Sequence, residues 1–227
     1  MANSPHPFRH LRHLRIALQR PEDFFEWLLK VNPTIRLTTL GLRIFSPRVH
    51  RGWGSGATLL NAFLKSQGSA MTGFALNILY SEENPIYFEG ATIDFSPLTN
   101  LSRLSLKTHD IRAMCKTLAT LSTPSLQILE VDRSVWYRGW TPTCDCAFDG
   151  EVVQLIQTID KKGELAGAKI RFGHGWEHLP REILATFENR DPGREVEYFD
   201  SDGFEEYPPD GYGGLLYRIR DRMPILN

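Results

Sequence analysis

The stretch "FGHGWEH" sets His174, Glu177 and His178 within five residues. An imidazole that moves a proton beside a carboxylate that orients it is the material of hydrolytic or transfer chemistry. Two histidines four residues apart converge on one ligand only from a helix, and Gly173 and Gly175 oppose a helix here. No serine motif and no third ligand goes with them. Cys144 and Cys146 enclose Asp145, with Asp149 close by. Structural zinc sites use a wider gap and a second pair of ligands, so these read as loop cysteines. Cys115 falls on an apolar helical face and reads as a small core residue. His6, His10 and His13 alternate with Arg9, Arg12 and Arg15 in a stretch that leads into a strand, where solvated end residues are expected rather than a metal site. "RGWGSG", residues 51 to 56, lacks the Gly-Lys-Ser/Thr of a phosphate loop and the spacing of a dinucleotide fingerprint, and reads as a turn. The expectation is a protein that is not an enzyme, with no cofactor and no metal. The alternative is a divergent α/β hydrolase or transferase using His174 or His178.

The totals agree with a binding role without specifying it. The 227 residues are 41% hydrophobic and 23% charged, with a formal net charge of -1. That composition suits a core-forming globular chain and gives no overall attraction to nucleic acid or to an anionic membrane. Three cysteines are too few for a disulfide framework, which favours a reducing compartment, cytoplasmic or nuclear. No apolar run of 18 residues occurs, so no membrane span is expected.

What must position any binding residues is a recurring pattern. In "LTNLSRLSL", Leu98, Leu101, Leu104 and Leu106 combine three-residue steps with a two-residue step. The Leu-x-Leu pair places two side chains on one face of a short strand, and the preceding leucine enters from the turn before it. Degraded copies begin at Leu11, Leu37, Met71, Leu101, Leu126 and Leu165, and a seventh is read at Val196 and Tyr198. One such unit cannot bury its apolar face alone, so successive units are expected to stack with parallel strands.

Helical segments fall between these strands. "PEDFFEWLLKVNP" opens with Pro21 and two acids, "SGATLLNAFLKSQG" offers Ser55 as cap and Gly68 as stop, and "DIRAMCKTLATL" turns Ile111, Met114, Cys115 and Leu118 inward. "DGEVVQLIQTIDKKG" offers Asp149 as cap, and "LPREILATFEN" is a shorter helix. "YSEENPIYFEGATIDFSPLTN" replaces a helix with turn-rich sequence. "RSVWYRGWTPTCDCAFD" is a long insertion whose Trp136, Tyr137 and Trp140 read as a cover over the core, with an interface anchor as the competing use. The expected organisation is a repeat array over residues 1 to 199. After it come an acidic Pro/Gly-rich loop, expected to be mobile over 200 to 214, and a small cap for the last repeat, ending at 227.

"FRHLRHLRIAL", "LTNLSRLSL" and "SLQILEV" resemble the degenerate leucine-rich repeats that follow the F-box in fungal F-box proteins. The resemblance spans roughly residues 8 to 190. It implies an α/β solenoid, a horseshoe with a parallel inner sheet and outer helices in about six to seven units. It also implies the substrate-receptor role of such proteins in cullin-based ubiquitin ligases. Because the first repeat begins near residue 8, the F-box that docks the ligase adaptor is expected to be missing from this chain, which makes adaptor binding doubtful.

Strand alternation then nominates the residues that face out of the inner sheet. They are His13, Arg15, Ala17; Thr39, Gly41, Arg43; Gly73, Ala75, Asn77; Arg103, Ser105, Lys107; Ile128, Glu130, Asp132; and Gly167, Lys169, Arg171. Among them Arg15, Arg43, Asn77, Arg103, Lys107, Glu130, Asp132, Lys169 and Arg171 are the expected binding residues. A mainly basic hollow interrupted by two acids favours an acidic or mixed-charge protein partner, because the carboxylates would repel a bare phosphate backbone.

Overall fold

A computed structural model of the chain describes residues 10–18, 20–31, 35–45, 54–79, 92–108, 110–132, 146–173, 196–199 and 216–218. In sequence order these form strand β1 (His13–Leu18), helix α1 (Pro21–Val31), β2 (Thr39–Phe45), α2 (Gly54–Gln67), β3 (Gly73–Leu79) and β4 (Arg103–Lys107). Then follow α3 (Ile111–Ala119), β5 (Ile128–Asp132), α4 (Cys146–Lys161), β6 (Lys169–Gly173), β7 (Val196–Phe199) and β8 (Leu216–Arg218).

All the described strands belong to one open sheet, in the order β7-β6-β5-β4-β3-β2-β1-β8, and every neighbouring pair is parallel. From β1 to β7 each strand lies beside its predecessor in sequence. Parallel neighbours need a crossover, and helices supply it between β1 and β2, β2 and β3, β4 and β5, and β5 and β6. Between β3 and β4 the described part of the connection, residues 92–102, has no helix; Ile93, Phe95 and Leu98 fill the core there. Phe95 meets Phe74 of β3 edge-on, with ring centroids 5.2 Å apart.

The two-residue alternation explains the layering. Ile16 and Leu18, Leu40 and Leu42, Phe74 and Leu76, Leu104 and Leu106, Leu129 and Val131, and Ile170 and Phe172 form one buried face. Leu28 of α1, Leu60 and Phe63 of α2, Met114 and Leu118 of α3, and Leu155 and Ile159 of α4 belong to the same core cluster. The leucines one turn ahead of the strands, Leu37, Leu101 and Leu126, are buried with them, as is Met71.

One junction recurs before successive strands. The Arg12 carbonyl accepts from the N–H groups of Thr38 and Thr39, that of Thr38 from Thr72 and Gly73, that of Thr72 from Ser102 and Arg103, and that of Ser102 from Gln127 and Ile128. Each strand is thereby set in register with the one before it.

Local signals account for several boundaries. The Asp110 side chain accepts from Ala113 N at 2.9 Å and starts α3. Gly68, with φ of 50°, lets the chain leave α2. The buried Gln67 side chain accepts from Leu37 N at 2.8 Å, pinning the end of α2 to the lead-in of β2.

Four sequence expectations are corrected. Helix α2 begins at Gly54, so Ser55 lies inside it rather than at its cap. Helix α4 begins at Cys146, so Asp149 is likewise internal. The Gly-rich stretch expected to be a turn continues as helix from Gly54 onward. The C-terminal strand β8 does not sit beside the last repeat; it pairs with β1, at the opposite edge of the sheet, with Arg15 opposite Leu216 and Ala17 opposite Arg218.

Candidate functional site

The sheet face turned away from the core carries the candidate site, because the helices pack into the core on the other side. Register arranges its residues in rows that cross the strands. One row runs His13, Thr39, Gly73, Arg103, Ile128, Lys169. The next runs Arg15, Gly41, Ala75, Ser105, Glu130, Arg171. The third runs Ala17, Arg43, Asn77, Lys107, Asp132. All nine nominated binding residues fall on this face. Gly167 does not: it lies in the turn before β6, and the third outward residue of that strand is Gly173.

Both acids of the face are held by bases from neighbouring strands. Arg103 Nη2 lies 2.7 Å from Glu130 Oε1, and Arg171 Nη1 shares the same oxygen. Lys107 Nζ lies 2.8 Å from Asp132 Oδ2. Side-chain exposure is 6% for Glu130 and 2% for Asp132, against 23% for Arg103, 18% for Lys107 and 25% for Arg171. The carboxylates are therefore sunk beneath their partners, which are themselves only partly exposed. Among its described residues on β1 to β6 the face carries six bases, Arg15, Arg43, Arg103, Lys107, Lys169 and Arg171, and two acids.

The centre of the face is low. Gly41, Gly73 and Ala75 contribute almost no side chain, and a Cβ at Gly41 would meet Arg15 Cγ at 3.2 Å, so Arg15 folds down over that glycine. Asn77, 2% exposed, sits between Arg43 and Lys107 in its row, and its Oδ1 is buried without a hydrogen-bond partner. At the edge, His13 Nδ1 is 2.9 Å from Thr39 Oγ1. Among the described residues the arrangement is a surface rich in hydrogen-bond donors.

The shared ligation of Glu130 is the feature that strand alternation alone does not reveal. The signal for it is the alignment of β6 on β5: once Lys169 is set opposite Ile128, Arg171 falls opposite Glu130. Placing Gly167 in the outward set obscures that pairing.

His174, Glu177 and His178, the Trp136, Tyr137 and Trp140 insertion, Cys144 and His6 lie outside the described residues. His10 is exposed. Among the described residues no group of three or more His, Cys, Asp or Glu side chains could hold a metal ion. Cys115 is buried on α3, and burial pushes its thiol pKa up, outweighing the opposing hydrogen bond with Thr158. A crevice lined by Leu76, Ile93, Leu106, Met114 and Thr117 is apolar, with Lys107 as its charged group, and brings no acid and base together. No described helix is long and apolar enough to cross a membrane.

Compared with models of known protein families, with curated proteins and with solved structures, the chain matches none.

Proposed function

We propose that the chain is a non-enzymatic protein-binding module whose basic sheet face takes an acidic or mixed-charge segment of a partner protein. The observation that carries this reading is the alignment of six bases across adjacent strands of one face, with both intervening acids sunk beneath them. Such a surface raises the local concentration of an acidic partner and fixes its register, which is how charge complementarity contributes to recognition.

The repeated carbonyl junction at residues 12, 38, 72 and 102, together with sequential parallel strands, supports a leucine-rich-repeat-like solenoid with this face on its inner side. On that reading the chain resembles the substrate-receptor half of an F-box protein, and the partner is the protein that such a receptor selects.

Charge removal must spare the bases that hold the buried acids, since reversing Arg103 or Lys107 would set a like charge beside buried Glu130 or Asp132 and remove a counter-charge from it. The test is affinity capture from the native host with the wild-type chain and with an Arg15→Gln/Arg43→Gln/Lys169→Gln variant. Capture of specific proteins should fall at least tenfold with the circular dichroism spectrum unchanged. Equal capture by a folded variant would refute the assignment.

A further inference from the structure

Asn77 stands on β3 between Arg43 and Lys107, in the third row of the face. It is 2% exposed, and among the described residues its Oδ1 has no hydrogen-bond partner. A buried acceptor in that condition lowers stability, because the contacts it gave up on folding are not replaced. Elsewhere the chain matches its buried polar groups. Gln67 accepts from Leu37 N at 2.8 Å and donates to the Ile35 carbonyl at 3.4 Å. Thr123 donates towards the carbonyls of Thr99 and Leu101, and Glu130 accepts from Arg103 and Arg171. The unmatched amide thus belongs to the sheet face that carries no helix.

The chemistry of the atom names its complement. A carboxamide oxygen accepts hydrogen bonds, so an ionised acidic side chain of a partner does not satisfy it. The donor that an acidic segment carries at almost every residue is its backbone N–H. In a polyproline-II conformation those groups make no bonds within the segment. Arg43 and Lys107 lie two strand spacings of about 4.8 Å apart, about 9.6 Å in all, and three residues of such a segment rise about 9.3 Å. A segment crossing the strands along this row, with acids three residues apart, would bring one acid towards each base and a peptide group over Asn77. Neither base has to lack a contact of its own for this, since an ammonium has three donors and a guanidinium five.

We propose that Asn77 fixes the register of the bound acidic segment by accepting a backbone N–H from a residue between two of its acids. The inference rests on the reading of this face as a protein-binding surface and specifies the segment it takes: extended, with acids three residues apart, and without proline at the residue over Asn77, because proline has no N–H to give.

Fluorescence anisotropy at low ionic strength tests this with a labelled oligoglutamate peptide and with the same peptide N-methylated along its backbone. N-methylation removes the N–H donors and keeps the carboxylates. The wild type should bind the plain peptide at least tenfold more tightly than the methylated one, whereas Asn77→Val and Asn77→Ala should distinguish them by no more than twofold. At least one of these variants should unfold at a urea concentration no lower than the wild type does, since an unmatched buried amide is replaced by an apolar side chain. Equal binding of the two peptides by the wild type, or undiminished discrimination by the folded variants, would overturn the proposal and leave the binding face in place. A lowered urea midpoint in both variants would also overturn it, by showing that the amide is already matched in the free protein. No binding of the plain peptide by the wild type would sink the protein-binding reading, and this inference with it.

Discussion

Lys107 and Asp132 stand directly opposite one another on adjacent parallel strands, with Nζ 2.8 Å from Oδ2 and the carboxylate almost wholly removed from water. An ion pair in this setting is costly to break from one side, because the remaining charge stays buried and loses a counter-charge. Lys107→Met should therefore lower stability by about 3–5 kcal/mol in urea unfolding. Adding Asp132→Asn should recover much of that loss, since the buried charge is gone. A Lys107→Met protein as stable as the wild type would show that Asp132 is solvated.

The leucines that define the pattern should behave as core. Leu104 is fully buried at the centre of the sheet, so Leu104→Ala should cost about 2–5 kcal/mol. Val153, 37% exposed on α4, supplies the contrast, and Val153→Ala should shift stability by no more than about 0.5 kcal/mol. Equal, small effects at both positions would place Leu104 outside the interior.

Much of this architecture is legible in the sequence because it rests on local periodicity. Leu104 and Leu106, or Leu40 and Leu42, advertise a one-sided strand, and a crossover between such strands makes parallel pairing the expected outcome. The outward residues follow from the same alternation. Less legible are features fixed by contacts distant in sequence. The start of α4 at Cys146 is ahead of the capping residue that its sequence offers, Asp149. The three-residue β8 is too short to announce its partner, and its position beside β1 depends on a free edge that only the assembled sheet possesses. Likewise Glu130 reads as an acid that punctuates a basic surface, whereas register places two arginines on one of its oxygens. The histidine cluster at 174 to 178 and the aromatic insertion fall outside the described residues, so those readings stand as the sequence leaves them.

Cys115 makes stability depend on alkaline pH. Burial favours the neutral thiol, so its pKa in the folded chain is raised above the ordinary value of 9.0. A raised folded-state pKa means that the stabilisation is fully present below pH 9.0 and is lost as pH climbs from there through the folded value, because the unfolded thiol ionises first. The wild type should lose more unfolding free energy between pH 7.5 and about pH 10 than Cys115→Ala does, after each is referenced to its own value at the lower pH. Parallel pH profiles would show that the thiol is equally hydrated in both states.

Gly173 should tolerate no side chain while Asp132 is in place. A Cβ built there would stand 2.2 Å from both Asp132 Cγ and Oδ1, closer than carbon atoms approach, so the carboxylate would have to turn away. Turning it away also pulls Oδ2 from Lys107 Nζ, adding an electrostatic loss to the steric one. Gly173→Ala should therefore lower stability by about 1–3 kcal/mol, the range for inserting a methyl group into a packed site. The cause can be separated from backbone strain, because Asp132→Gly removes the obstacle, including the Asp132 Cβ that would stand 2.7 Å from the added carbon. In that background the added methyl should cost less than half as much by urea unfolding. An undiminished cost would mean that the β6 backbone itself, rather than the neighbouring carboxylate, requires glycine at this position.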